Sequence, residues 1–428
     1  MKKFMIFLLL LVGITSLAGC GTKKKAGEIT VWWPGGTDSE AAINAAKAQY
    51  EIDNPGITIR VVPQQTTNFA MDYTMSLMGN DYPDLVYVDH VFVQQLAALG
   101  YIANLSDAGF DNEKSKFIDS LWGPNTYVGD LYAVPFSANV LATVYNKTLI
   151  STVLGREMTQ DDVPTTFTEL EAISAKIIAY NTANNLKGDD AYIPYTIPAG
   201  NNSQSFSAMA FISLASRSGS TIMSSDLRTM NLEAAGCVNA ATKIYEFGQK
   251  GYSTSSFEEG KFEQGRVAFI EMGPWKMREY ERIGETNRID FGYAPIIKMT
   301  ETGNNNSALG LFSLVVTEQS INKEITIEFA KYLGTNDELL LLHNKGQNLM
   351  PTTKTSLADE FYDTKVWPIY KEQLNHIIER PGSPEWATIE KTIAEFVTAL
   401  LDGSREPEYL EDLNYVIQIA LDEFYSNL

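Results

Sequence analysis

Residues 129–149, GDLYAVPFSANVLATVYNKTL, decide how this chain is read. Gly129 and Asp130 make a tight turn, apolar residues alternate up to Pro135, and an extended run then ends at Tyr145-Asn146-Lys147. Proline removes a ladder donor, so the pattern is a strand interrupted by proline, a crossing segment, and a second strand closed by a polar turn.

Upstream, EITVWW (28–33) is a short β-rich run stopped by Pro34-Gly35-Gly36. Thr37 followed by Glu40 reads as a capping box, and Ile43, Ala46 and Tyr50 then recur at helical spacing. Asn54-Pro55-Gly56 stops that helix, ITIRVV follows as a strand, and a helical stretch from Phe69 to Met78 leads to PDLVYVD. That last run is apolar almost throughout, which suits a strand covered on both faces. Strand, helix, strand, helix, strand in this order means a parallel, helix-covered sheet.

Downstream the pattern restarts. Thr166 with Glu169 makes a second capping box, and Phe167, Leu170, Ile173 and Ile177 share one helix face. Residues 198–207 read as a loop, 208–217 and 232–248 as helices, and 266–272 as a strand. Near the end, Ile389, Ile393, Phe396 and Leu400 form an apolar stripe that stops at Gly403, and one more helix closes the chain. The residues alone therefore predict an α/β protein throughout.

The first twenty residues carry an address. Met1-Lys2-Lys3, an apolar run over 4–12 and the ending Leu17-Ala18-Gly19-Cys20 have the order of a secretory signal. The run is too short for the ~20 residues of a membrane-crossing helix. LAGC looks like a bacterial lipobox, in which residues 1–19 are removed and Cys20 is diacylated through its sulfur. Acyl chains contribute ~0.8 kcal/mol per buried methylene, enough in combination for a durable anchor. Residues 20–27 then read as a lipidated cysteine and a flexible, lysine-bearing tether near an anionic surface. Only Cys237 remains, so an intramolecular disulfide is excluded, and its helix-like surroundings predict a buried, inert thiol.

Loss of residues 1–19 removes Lys2 and Lys3 and no acid, taking the formal charge from −20 to −22. This balance argues against nucleic-acid binding. The mature length exceeds one core, so two domains are expected.

In wording and order, 129–149 resembles the GxLYAVPxxxxxxxxxYNK segment of the solute-binding proteins that feed ABC importers, in the maltodextrin-binding-like group (family 1). Further signs of that group follow in order: GYIANLSD (100–107), FEEGKFEQGRVAFIEMGPW (257–275), GYAPI (292–296), NSALGLFSLVV (306–316) with INKEITIEFAKYL (321–333), QNLMPTTKTS (347–356) and RPGSPEW (380–386). The resemblance implies a two-lobed periplasmic-binding-protein-like fold, each lobe a helix-covered sheet, joined by a three-segment hinge. Matching motifs place the crossings near 137–141, 307–314 and 363–368. Lobe 1 is then 28–138 plus 310–365, and lobe 2 is 139–309 plus 366–428. It also implies a monomeric, lipid-anchored protein on the extracytoplasmic face of the cell membrane. Such a protein delivers a small solute, with a neutral sugar or oligosaccharide favoured, to the transmembrane subunits of an ABC permease. A secreted carbohydrate-active or adhesive lipoprotein is the alternative.

The residues show no enzyme signature. His90, His343 and His376 stand in unrelated contexts, and there is no HExxH pair, GxSxG elbow, phosphate loop or GxGxxG. Neither a cofactor nor a metal is expected, and paired acids for glycoside hydrolysis are unmarked. The aromatics say more. Trp33, Trp275 and Trp386 each stand at an element end beside Pro or Gly, where an indole can stack on the C–H face of a sugar. The resemblance places Trp275 and Trp386 on ligand-contact positions, and leaves Trp122 and Trp367 to core or hinge packing. Asp89 and His90 fall at a strand end of the kind that binds ligands in α/β sheets. Asn139 stands where maltodextrin binders carry a Glu, and Asn201, Asn202 and Gln204 lie in a loop that would face the first lobe. These candidates hold one carboxylate and no Lys or Arg, which points to a neutral ligand.

Overall fold

The chain builds two main sheets, and the segment 129–149 contributes a strand to each. The structure is a computed structural model, and it describes residues 25–64, 69–79, 81–200 and 203–426. The first five strands are β1 (Glu28–Pro34), β2 (Thr58–Gln64), β3 (Leu85–Asp89), β4 (Val134–Asn139) and β5 (Ala142–Asn146). They are followed by β6 (Ile193–Thr196), β7 (Val267–Met272), β8 (Phe291–Ala294), β9 (Gly310–Val316) and β10 (Met350–Pro351).

Lobe 1 holds the sheet β10-β4-β9-β3-β1-β2, and lobe 2 holds β8-β5-β7-β6. As expected, β1 pairs in parallel with β2 and β3. The sheet as a whole is mixed, because β9 runs antiparallel to both β3 and β4. In consequence β1, β2, β3 and β4 all point the same way, and their C-terminal ends share one edge of the lobe. Between the sheets the chain passes directly from Asn139 to Ala142 and returns ahead of Gly310. Val140, Leu309, Met350, Trp367 and Tyr370 pack together around these passages, and the Tyr370 hydroxyl donates to Met272 O (3.0 Å).

The helices used below are α1 (Thr37–Asp53), α2 (Phe69–Met78), α3 (Phe167–Ala183), α4 (Gln204–Arg217) and α5 (Ala235–Gln249). Then come α6 (Met277–Asn287), α7 (Lys323–Thr335), α8 (Asp337–Gln347), α9 (Trp386–Asp402) and α10 (Leu410–Ser426). The predicted box at Thr166 forms: its side chain accepts from Glu169 N, and the Glu169 carboxylate accepts from Thr166 N. The box predicted at Thr37 does not. There the helix starts one residue earlier in register, Thr37 is already helical, and the Gly36 carbonyl takes the Glu40 N–H (2.9 Å) with no side-chain cap. The stripe of α9 (Ile389, Ile393, Phe396, Leu400) lies in the lobe 2 core and ends at Gly403 as predicted. Cys237 is buried on α5, and burial pushes its thiol up to about 12, which removes thiolate chemistry.

Candidate functional site

Asp89 is the last residue of β3 and Asn139 the last of β4, so both stand at the C-terminal edge of the lobe 1 sheet. Gly310, which opens β9, pairs with Asn139. This edge faces Arg380, in the segment that leads into α9. One guanidinium nitrogen of Arg380, Nη2, donates to Asp89 Oδ1 (2.6 Å) and Oδ2 (2.9 Å), and Nε donates to Leu309 O (3.1 Å). The Arg380 side chain is 5% exposed and that of Asp89 25%, so the pair is largely withdrawn from water. Burial works to raise the Asp89 carboxyl, but Arg380 and His90 outweigh it and hold it well below the usual carboxylate range.

His90 follows with Nδ1 3.0 Å from Asp89 Oδ1 and 3.2 Å from Leu311 O. Burial, reinforced by the Arg380 charge, lowers its pKa despite the Asp89 carboxylate, so the ring is neutral at pH 7. Nδ1 also lies 3.4 Å from Arg380 Nη2, whereas Nε2 has no partner among the described residues.

Lobe 2 answers with the first turn of α4 and the turn after β7. Phe206 stacks on Phe257 (centroids 5.7 Å apart, 26°) and meets the Trp275 indole at 6.0 Å. All three rings are half-buried. Trp275 folds back over Gly273, where any Cβ would collide with the indole, which gives a physical reason for glycine in GPW. Beside Phe206, Ser205 and the Trp386 indole lie near the Glu390 carboxyl. Burial pushes the Glu390 carboxyl up, against the opposing influence of Ser205 and the Arg380 charge. Ser205 and Phe206, adjacent on α4, thus join the aromatic wall to the polar cluster.

The sequence candidates divide accordingly. Asp89, His90, Asn139 and Trp275 fall in or beside this cluster, and Gln204 is exposed on the first turn of α4. Trp33 is a correction: it is 1% exposed in the lobe 1 core among Tyr87, Phe136 and His343, and its indole N–H donates to Ser39 O (3.0 Å). Alternation along β1 turns Trp33 under α1, away from the cleft. Trp386 is corrected: it is 1% exposed as the first residue of α9 in the lobe 2 core, with its indole near Glu390. Cys20, Asn201 and Asn202 lie outside the described residues.

Arg380, Glu390, Phe206 and Phe257 are cluster members that sequence reading passed over. Glu390 was within reach, because four residues after Trp386 on a helix is the adjacent position on one face. Arg380 also corrects the expectation of a cleft without a cation, although its charge is matched by Asp89. Among the described residues no group of three or more His, Cys, Asp or Glu is placed to hold a metal ion, and no helix is long and apolar enough to cross a membrane. A half-open aromatic wall beside a neutral imidazole, an amide and a carboxyl can stack an apolar ring face and read hydroxyls around it.

The profile of the bacterial extracellular solute-binding proteins matches residues 45–367 of this chain. The chain belongs to that family. Among curated relatives of this solute-binding protein, the maltotriose-binding protein of Pyrococcus abyssi is 21% identical over 97% of this chain and 84% of its own length. The galactooligosaccharide-binding protein of Bacillus subtilis is 24% identical over 96% of this chain and 95% of its own. The solved cyclic α-maltosyl-1,6-maltose binding protein of Arthrobacter globiformis superposes with a TM-score of 0.79, at 20% identity, over 93% of this chain and 100% of that one. At that identity the likeness establishes the shared two-lobed fold.

Proposed function

We propose that this protein is the lipid-anchored solute-binding component of an ABC importer, which captures a neutral sugar or oligosaccharide between its lobes and delivers it to a permease. One observation carries the ligand class. A wall of half-exposed Trp275, Phe206 and Phe257 adjoins a polar cluster in which Arg380 is already matched by Asp89. An anionic ligand needs an unmatched positive charge when it leaves water, and the Arg380 charge is already paired with the Asp89 carboxylate. The names of the oligosaccharide-binding relatives support the same class. Lobe 1 comprises 28–138, carried one residue further by Asn139 at the end of β4, plus 310–365, and lobe 2 the remaining folded chain; no bond in the ligand is made or broken. The lipobox at 17–20 supports the anchor.

A thermal-shift panel of mono- and oligosaccharides tests this reading. A true ligand at 100 times its dissociation constant adds ~2.7 kcal/mol of stability. Calorimetric titration of that sugar at low and high salt should give nearly equal affinities. Tight binding of a phosphate- or carboxylate-bearing solute that weakens steeply with salt counts against it.

A further inference from the structure

Val88, Val91 and Val93 are close neighbours in the chain at the cleft edge of lobe 1, yet they do not share a core. Val88 and Val93 pack in lobe 1 with Val86, Leu96 and Ile102. Val91 is 1% exposed within the lobe 2 core, in the cluster that holds Trp386 and Ile389. Among the described residues it is the one member of that cluster contributed by lobe 1. Its neighbour Phe92 is half-buried and packs against both clusters. The cause is local. β3 ends at Asp89, and a tight turn over His90–Phe92 separates it from the short helix Val93–Ala98, so successive apolar side chains leave the sheet edge in different directions.

Polar contacts ring this seat. Arg380 holds Asp89 (2.6 and 2.9 Å), Gln95 Nε2 donates to Pro384 O (2.8 Å), and a Cβ on Gly382 would strike the Gln94 side chain. All of them join residues 89–95 of lobe 1 to residues 380–384 of lobe 2. Parting the lobes along this line withdraws Val91 into water, and fully burying a valine shifts an equilibrium roughly ten- to a hundredfold. We infer that Val91 is a positioning residue for ligand capture: seated in lobe 2, it fixes the turn that carries Asp89 and His90 against Arg380, so that closing the cleft and setting its polar groups are one movement. The inference rests on the proposed capture of a ligand between moving lobes. Val91 sets the fraction of molecules in which the reading groups are assembled, and a change there scales the affinity for every ligand alike.

Val91→Asn keeps the size of the side chain and adds no charge to compete for Arg380. The variant should stay folded, and its unliganded radius of gyration in solution scattering should exceed the parent's. Every sugar that passes the thermal-shift panel should bind at least about tenfold more weakly, by one common factor. Gly382→Val pries at the same contact from lobe 2. The φ of Gly382 is not left-handed, so the new side chain meets Gln94 and no backbone strain, and the radius should rise here too. A folded Val91→Asn protein with the parent's radius and a lowered denaturant midpoint would make Val91 a permanent core residue and overturn the inference. Failure of Val91→Asn to fold, with the parent's radius in Gly382→Val, has the same meaning. Losses that differ from sugar to sugar overturn the positioning role, because they make residue 91 a ligand contact. If the parent binds no sugar, the ligand class fails, and the two radii still decide whether the seat holds the lobes together.

Discussion

Replacing Trp33 with alanine empties a position that is 1% exposed and breaks the indole bond to Ser39 O. Truncating a buried Trp of this kind costs ~3–5 kcal/mol of stability. Trp275→Ala removes a ring that is only half-buried and touches Phe206 at 6.0 Å. It should lower ligand affinity with a much smaller shift in a denaturant melt. A large melt shift for Trp275→Ala with unchanged affinity per folded molecule would return that ring to the core. His343 makes a third residue-scale prediction. It lies buried among Trp33, Tyr87 and Phe136 with neither ring nitrogen bonded, and the nearby Ser39 carbonyl already serves the Trp33 indole. Burial lowers its pKa to about 4 from 6.5. Because the folded value lies below the unfolded one, His343 exerts no penalty above pH 6.5 and destabilises progressively as the pH falls toward 4. The full effect is on the order of 3 kcal/mol. His343→Leu should flatten the acid limb of a stability–pH curve, leaving the slope contributed by His90, whose pKa is also lowered by burial. An unchanged limb in His343→Leu would show that this ring does not titrate on unfolding.

At the scale of elements, the caps of α1 and α3 make a controlled pair. Thr166→Ala removes a formed capping box and should cost ~1 kcal/mol. Thr37→Ala removes nothing that caps α1 and should stay within ~0.5 kcal/mol, the range of surface changes; equal losses in thermal melts would contradict the assignment. The same pair shows what local sequence can carry. Both stretches have the spacing Thr-x-x-Glu, and only the backbone path before the helix decides whether the threonine is the cap or the first helical residue. Strand and helix order was legible because period and breakers are local, as were β3 and the α9 stripe. The inward turn of Trp33 was not, since shifting a strand by one residue exchanges its faces. Arg380 was read only as part of a motif. Its partner Asp89 is 291 positions away, and no local pattern encodes that distance.

For the whole molecule, the ties between lobes determine how readily the cleft stays shut. Arg278, on the first turn of α6 in lobe 2, donates from Nη2 to Lys345 O (2.8 Å) and from Nη1 to Gly346 O (3.0 Å), both in the last turn of α8 in lobe 1. A helix C-terminus presents unsatisfied carbonyls and partial negative charge, so a guanidinium is well placed there. Asp38, at the start of α1, adds a 3.7 Å ion pair. Elsewhere along the cleft Gln95 donates to Pro384 O (2.8 Å) beside the Asp89–Arg380 pair. Arg278 touches none of the aromatic wall or polar cluster, so its loss should act on closure alone. When only the closed form binds tightly, apparent affinity falls with the closed fraction and does so equally for every ligand. The Arg278 side chain is 55% exposed, and solvent screening limits such contacts to ~1 kcal/mol, a factor of about five. Arg278→Ala should therefore weaken every sugar that passes the thermal-shift screen by this one factor, mainly through faster dissociation. The unliganded radius of gyration in solution scattering should rise, and the stability of the free protein should fall by no more than the ~1 kcal/mol the tie contributes. Trp275→Ala, by contrast, should weaken different sugars by different factors, because it removes a contact surface. A selective loss in Arg278→Ala, or affinity and radius both equal to the parent, would mean that closure does not depend on this tie.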